Sequence, residues 1–134
     1  MLMVNFREQI RHWRYKIGFQ MIFFSFFTVP PELIPLTFGK DVVDEGNFAQ
    51  LSCIAMSGDE PLTISWTFHG QDLSSDLGIM TTPIGSRGSM LIISNVGHKH
   101  SGNYTCTAKN EAGSKSETAV LKVNGMILFE NLRL

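Results

Sequence analysis

Leu51-Ser52-Cys53-Ile54-Ala55, Ile64-Ser65-Trp66-Thr67-Phe68 and Tyr104-Thr105-Cys106-Thr107-Ala108 decide the fold; joined, they read Cys53-x12-Trp66-x37-Tyr104-x-Cys106. The two cysteines are the only ones in 134 residues. Each sits in a run of alternating side chains: Ala49, Leu51, Cys53 and Ala55 in the first, Tyr104, Cys106 and Ala108 in the second. Side chains two apart on a strand share a face, so both cysteines point with their apolar neighbours into a core. Ile64, Trp66 and Phe68 alternate with Thr63, Ser65, Thr67 and His69, which gives a further strand with its tryptophan inward. Leu91-x-Ile93 marks another in the same way. The pattern is that of an all-β protein.

Outward from these strands, the chain is punctuated by turn chemistry. Pro30, Pro31 and Pro35 forbid a regular central strand, so the segment before Phe38 is expected at a sheet edge. Val42-Val43-Asp44 gives a second edge strand, closed by Glu45-Gly46. Ser57-Gly58-Asp59-Glu60-Pro61 and Gly85-Ser86-Arg87-Gly88 are turns, and Asn110-Glu111-Ala112-Gly113 is a hairpin turn. Gly70-Gln71-Asp72-Leu73 is expected to turn away into an irregular section that runs through Asp76. Ile79 to Ile84 is a short strand interrupted by Pro83, hence at an edge, and Ala119, Leu121 and Val123 line the last strand. Seven to nine short strands at regular spacing, with no helix signal, predict a sandwich of two sheets.

With these residues placed, the chain resembles the I-set immunoglobulin domains of cell-surface adhesion proteins. The likeness rests on Gly46, Leu51-x-Cys53, Trp66, Leu91-x-Ile93, Gly102-x-Tyr104-x-Cys106 and Ala108-x-Asn110-x-Ala112-Gly113. It implies a Greek-key sandwich with one inter-sheet disulfide, Cys53 to Cys106, packed on Trp66, and a core that includes Leu91, Ile93 and the corner tyrosine Tyr104. The opening Pro31-x-Leu33-Ile34-Pro35-Leu36-x-Phe38-Gly39, with Gly58-Asp59-x-Pro61-Leu62-x-Ile64-x-Trp66, is similar to the arthropod Down syndrome cell adhesion molecule family, and most to its variable seventh immunoglobulin domain. That resemblance implies an extracellular receptor module supplied by one alternative exon. It also implies an identical domain on another molecule as the partner, in neuronal self-recognition or immune recognition. The membrane would be reached only through a parent protein's anchor. One position departs from the family pattern: the usual aspartate four residues before the corner tyrosine is His100. Its usual arginine partner, here Arg87, is therefore expected to be solvated or paired elsewhere.

Charge is unevenly spread. Residues 1–29 carry Arg7, Arg11, Arg14 and Lys16 against Glu8 and hold six of the ten phenylalanines. Residues 30–123 carry six Lys/Arg and ten Asp/Glu, a net charge of −4. An acidic domain lacks the basic stripe that a phosphate backbone requires, so nucleic acid is not an expected partner. The expected organisation is a basic, aromatic leader over 1–29, an immunoglobulin domain over 30–124 and a tail outside the fold over 125–134. The leader reads either as a poorly formed signal peptide, with a thirteen-residue apolar run and no small-x-small cleavage site, or as translated intron flanking a single exon. Two cysteines at inter-sheet spacing argue for an oxidising compartment; the alternative is a cytosolic spacer domain of this fold with two packed thiols. Asn103-Tyr104-Thr105 is the only N-x-[ST] sequon, a glycosylation candidate at Asn103.

Catalytic chemistry finds no footing. His98 and His100 lie two apart and His69 ends the tryptophan strand, but a zinc site wants three or four ligands, so a polar corner loop is the expected role and no metal or cofactor is implied. Ser74-Ser75-Asp76 and Ser101 have no base with a supporting carboxylate in a recognisable motif. The glycine-rich Gly85–Ser89 segment links two strands, whereas phosphate-binding loops open a helix. No enzyme is indicated. A binding surface is. By alternation, Thr63, Ser65, Thr67, His69, Thr105, Thr107 and Lys109 point outward from one sheet, all polar. On the other sheet Ile54, Met56, Met90 and Ile92 point outward, and these four are expected to form one apolar interface patch. A covering leader or neighbouring domain is the alternative use of that patch.

Overall fold

In a computed structural model the described residues are 27–125. Residues 1–26 of the expected leader and 126–134 of the expected tail lie outside them. The period-two pattern around each cysteine becomes the centre of a sheet. The strands are β1 (Glu32–Leu33), β2 (Val42–Asp44), β3 (Ala49–Ser57), β4 (Thr63–Phe68), β5 (Gln71–Asp72), β6 (Met80–Ile84), β7 (Gly88–Ile93), β8 (Gly102–Asn110) and β9 (Gly113–Asn124). Two short 3-10 turns, Ser75–Leu77 and His98–His100, lie between strands. One sheet has the order β1-β3-β7-β6 and the other β2-β9-β8-β4-β5. Among the described strands only the β2–β9 pairing is parallel.

The core lies between the sheets, where each strand contributes every second residue. Leu51, Cys53 and Ala55 from β3 and Leu91 and Ile93 from β7 meet Tyr104, Cys106 and Leu121 from the opposite sheet. The disulfide joins Cys53 to Cys106 across this space, with their Cα atoms 6.4 Å apart. Trp66 is buried beside it, and its indole N–H donates to Ser89 Oγ at 2.8 Å. A buried indole thereby keeps a partner, and the bond ties the two sheets together a second time. Ser89 is itself paired in register with Cys53.

Tyr104 is fully buried, edge-on to Phe38 and tilted against Phe68, and its hydroxyl donates to the His100 carbonyl at 2.5 Å. Burial pushes its phenol well above the ordinary range. This is the corner expected of Tyr104. The imidazole of His100 departs from the expected polar loop: it is 3% exposed. Its Nδ1 accepts from the Gly97 N–H at 2.8 Å, which leaves Nε2 to donate to the Leu77 carbonyl at 2.6 Å. A histidine thus joins two loops through backbone groups where an aspartate would seek a cation. Arg87 is paired elsewhere. Its Nε and a terminal nitrogen bond the Ala55 and Gly58 carbonyls at 3.1 and 2.9 Å, and its other nitrogen lies 3.5 Å from Glu60.

One stretch differs from the sequence reading. Gln71-Asp72 forms an edge strand, pairing with Phe68 and Thr67, instead of turning away. Val29 belongs with the domain: its N–H donates to the Asp59 carboxylate at 3.0 Å and its carbonyl accepts from Asn110 Nδ2 at 2.7 Å.

Candidate functional site

Register decides which outward side chains become neighbours. Across β3 and β7, Gln50 faces Ile92, Ser52 faces Met90 and Ile54 faces Gly88. Across β7 and β6, Ile92 faces Met80, Met90 faces Thr82 and Gly88 faces Ile84. The outer face of this sheet therefore holds three transverse rows: Met80–Ile92–Gln50, Thr82–Met90–Ser52 and Ile84–Gly88–Ile54. Exposed Ile34 extends the third row, with its N–H bonded to the Ile54 carbonyl at 3.0 Å.

Gly88 is the hinge of the arrangement. A Cβ there would lie 3.2 Å from Ile84 Cβ and 3.4 Å from Ile54 Cγ1, and 2.9 Å from the Cys53 carbonyl oxygen. Ile54 and Ile84 flank the bare backbone of the glycine, each half-buried. Register sets the neighbours within the expected four-residue patch. Ile54 has Gly88 directly opposite, not Met90, and Met90 and Ile92 have Ser52 and Gln50 directly opposite. Met56 extends past the β7 pairing and is 64% exposed. The surface is extended by Met80 (61% exposed) and Ile84 on β6 and by Ile34 just after β1. Sequence reasoning missed these three. Met80, Thr82 and Ile84 do alternate, but Pro83 within the run and Pro35 after Ile34 hid the faces they share.

The outer face of the second sheet has the opposite chemistry. Ser65 faces Thr107, Thr67 faces Thr105 and Thr63 faces Lys109. The Thr105 and Thr118 hydroxyls lie 2.8 Å apart, and those of Thr107 and Ser116 2.7 Å apart. These hydroxyls satisfy one another along the β8–β9 ladder, so the face is complete in water. Val120, opposite Asn103, is the exposed large apolar exception on β4, β8 and β9. His69 curls back at the end of β4 with φ +52°, and its N–H donates to the Asn103 carbonyl at 2.9 Å. Among the described residues no group of three or more His, Cys, Asp or Glu side chains is placed to hold a metal ion. No helix of the described residues is long and apolar enough to cross a membrane.

A family profile described as "Immunoglobulin domain" matches residues 30–110. The cell adhesion molecule Dscam1 of Drosophila melanogaster is 34% identical over 97 residues, covering 72% of this chain and 5% of the relative. The cell adhesion molecule DSCAM of Homo sapiens is 37% identical over 95 residues, covering 71% of this chain and again 5% of the relative. Among solved structures, the Dscam1 Ig7 domain, isoform 5, superposes with a TM-score of 0.68 at 38% identity, covering 71% of this chain and 97% of that one. The chain thus spans about 5% of the length of these curated relatives.

Proposed function

This chain belongs to the immunoglobulin domain family, a non-enzymatic family of binding modules, and from that premise we propose that it is an extracellular recognition module of a cell-adhesion receptor that binds an identical copy of itself through the outer face of the β1-β3-β7-β6 sheet. The observation that carries the reading is the set of outward apolar side chains Ile34, Ile54, Ile84, Met90, Ile92 and Met80, spread over three rows of one sheet of a domain whose other outer face pairs hydroxyls along β8 and β9. Monomeric proteins rarely leave contiguous apolar surface uncovered. Methionine adapts its shape to a second methionine, which suits a contact between identical surfaces. In a two-fold contact each residue meets its own copy or a reciprocal partner, so one introduced charge enters the interface twice. The adhesion relatives support the extracellular setting, and the folded module is taken as residues 30–124 with Val29 attached.

The test is sedimentation of the purified, oxidised full chain over a range of concentrations. Ile92→Asp should abolish self-association while the thermal transition persists, and Ser65→Asp on the opposite sheet should leave it intact. Met80→Asp, on the exposed edge strand, makes the same test should Ile92→Asp disturb folding. A wild type that remains monomeric at every concentration overturns self-binding, and equal sensitivity of the two faces overturns the choice of sheet.

A further inference from the structure

We propose that Asn103 carries an N-linked glycan that covers the outer face of the β4-β8-β9 sheet and so leaves the opposite sheet as the side open to proteins. The sequon Asn103-Tyr104-Thr105 lies within β8, where Tyr104 points into the core and Asn103 and Thr105 point outward. Asn103 is exposed, and no side-chain hydrogen bond ties its amide to another described residue. The position lies at one end of the face, second in β8 and just past the last β4 pair. Val120 stands directly across from it on β9, Thr105 follows on its own strand, and His69 is bonded to its carbonyl. Val120, 52% exposed, is the one large apolar side chain on these strands that water would otherwise meet, and it is the nearest cross-strand neighbour of the modified residue.

The chemistry needs a polyprenyl-diphosphate-linked oligosaccharide as co-substrate, supplied with its transferase in the secretory compartment that also forms the disulfide. The Asn103 amide nitrogen forms a bond to C1 of the first sugar. The C1–O bond to the diphosphate breaks, the polyprenyl diphosphate leaves, and the amide gives up one proton. Chain order favours access. β9, which pairs with β8 from Gly102 to Asn110, follows it in sequence and so emerges after the sequon. Cys106 lies three residues beyond Asn103, so closure of the disulfide and pairing with β4 compete with transfer.

The experiment uses the full chain placed behind a heterologous secretion signal and recovered from the medium. Treatment with a peptide-N-glycosidase should give one discrete increase in electrophoretic mobility and leave aspartate at 103. Asn103→Gln and Thr105→Val should each migrate at the treated position without treatment; two variants guard against one failing to fold. Hydroxyl-radical labelling of His69 and Val120 should rise when the glycan is removed. A wild type without a mobility shift, or a shift that survives Asn103→Gln, overturns the modification. Labelling that does not change overturns the covering role. None of these readouts depends on self-association, so this inference and the homophilic reading stand or fall separately.

Discussion

The two outer faces of the sandwich are built on the same inner alternation and differ almost entirely in what they show to water. One carries Ile34, Ile54, Ile84, Met90, Ile92 and Met80 with Gln50, Ser52 and Thr82 between them. The other carries Thr63, Ser65, Thr67, Thr105, Thr107, Ser116 and Thr118, with two hydroxyl pairs closed at 2.8 and 2.7 Å, and only Val42 and Val120 as exposed large apolar side chains among the described residues. Folding demands only that the inner positions be apolar. Either outer face could have been polar at no cost to the core, so the asymmetry reports on what each face meets after folding. β-branched threonine suits a strand and its hydroxyl suits solvent. Isoleucine and methionine suit a strand only if something covers them.

The most severe way to break the contrast is to remove the core on which both faces rest. Cys53→Ala should lower the unfolding free energy by about 2–5 kcal/mol, read from the denaturant midpoint, and abolish self-association through unfolding and not through the surface. Gly88→Ala acts on the apolar face itself. Its Cβ meets the Cys53 carbonyl and pushes Ile54 from Ile84. The expected cost is about 1–3 kcal/mol, with weaker association at concentrations where the domain is still folded.

Tyr104→Phe separates core from surface. It removes the bond to the His100 carbonyl and should cost about 0.5–1.5 kcal/mol at neutral pH without altering association of the folded protein. The pH dependence has a definite sign. Burial raises the phenol above its unfolded value of about 10, so the folded state holds the proton longer. The stability linked to the buried, protonated phenol is fully present below that value and declines as pH rises beyond it. The gap between wild type and Tyr104→Phe should therefore narrow in denaturation curves taken above about pH 10. Thr107→Val should be the mildest change, within about 0.5 kcal/mol in thermal unfolding and without effect on sedimentation, because the Ser116 hydroxyl it leaves behind is exposed to water.

Inner positions were legible because burial repeats every second residue. Cys53, Trp66, Leu91, Ile93, Tyr104 and Cys106 all sit where alternation puts them. Outer neighbours were legible only in part, since alternation says which side a residue faces and not which residue it faces. Whether Ile54 meets Met90 or Gly88 depends on strand register, set by turns such as Gly85–Arg87 and by the stretch of β3 beyond β7. His100 shows a different limit. Its burial depends on the Leu77 carbonyl, 23 residues away, and on a backbone N–H of its own turn, and neither leaves a trace in residue type. Gln71-Asp72 is polar and two residues long, too short to show a period.

The parallel pairing of β2 with β9 has a mechanical consequence. Val42, Val43 and Asp44 lie beside Lys122, Val123 and Asn124 in the same direction, and the Glu45 N–H and the Asn124 side chain extend the contact at 2.8 and 3.1 Å. The chain therefore enters this pair at one end of the sandwich and leaves it at the other. Tension drawn between those ends slides the two strands along each other and loads their hydrogen bonds together, in shear, where an antiparallel hairpin pulled from its open ends would peel one bond at a time. Before β2 the same incoming segment is already fastened to the other sheet through Leu33 opposite Ala55. A pull on the domain is shared between both layers before either can part.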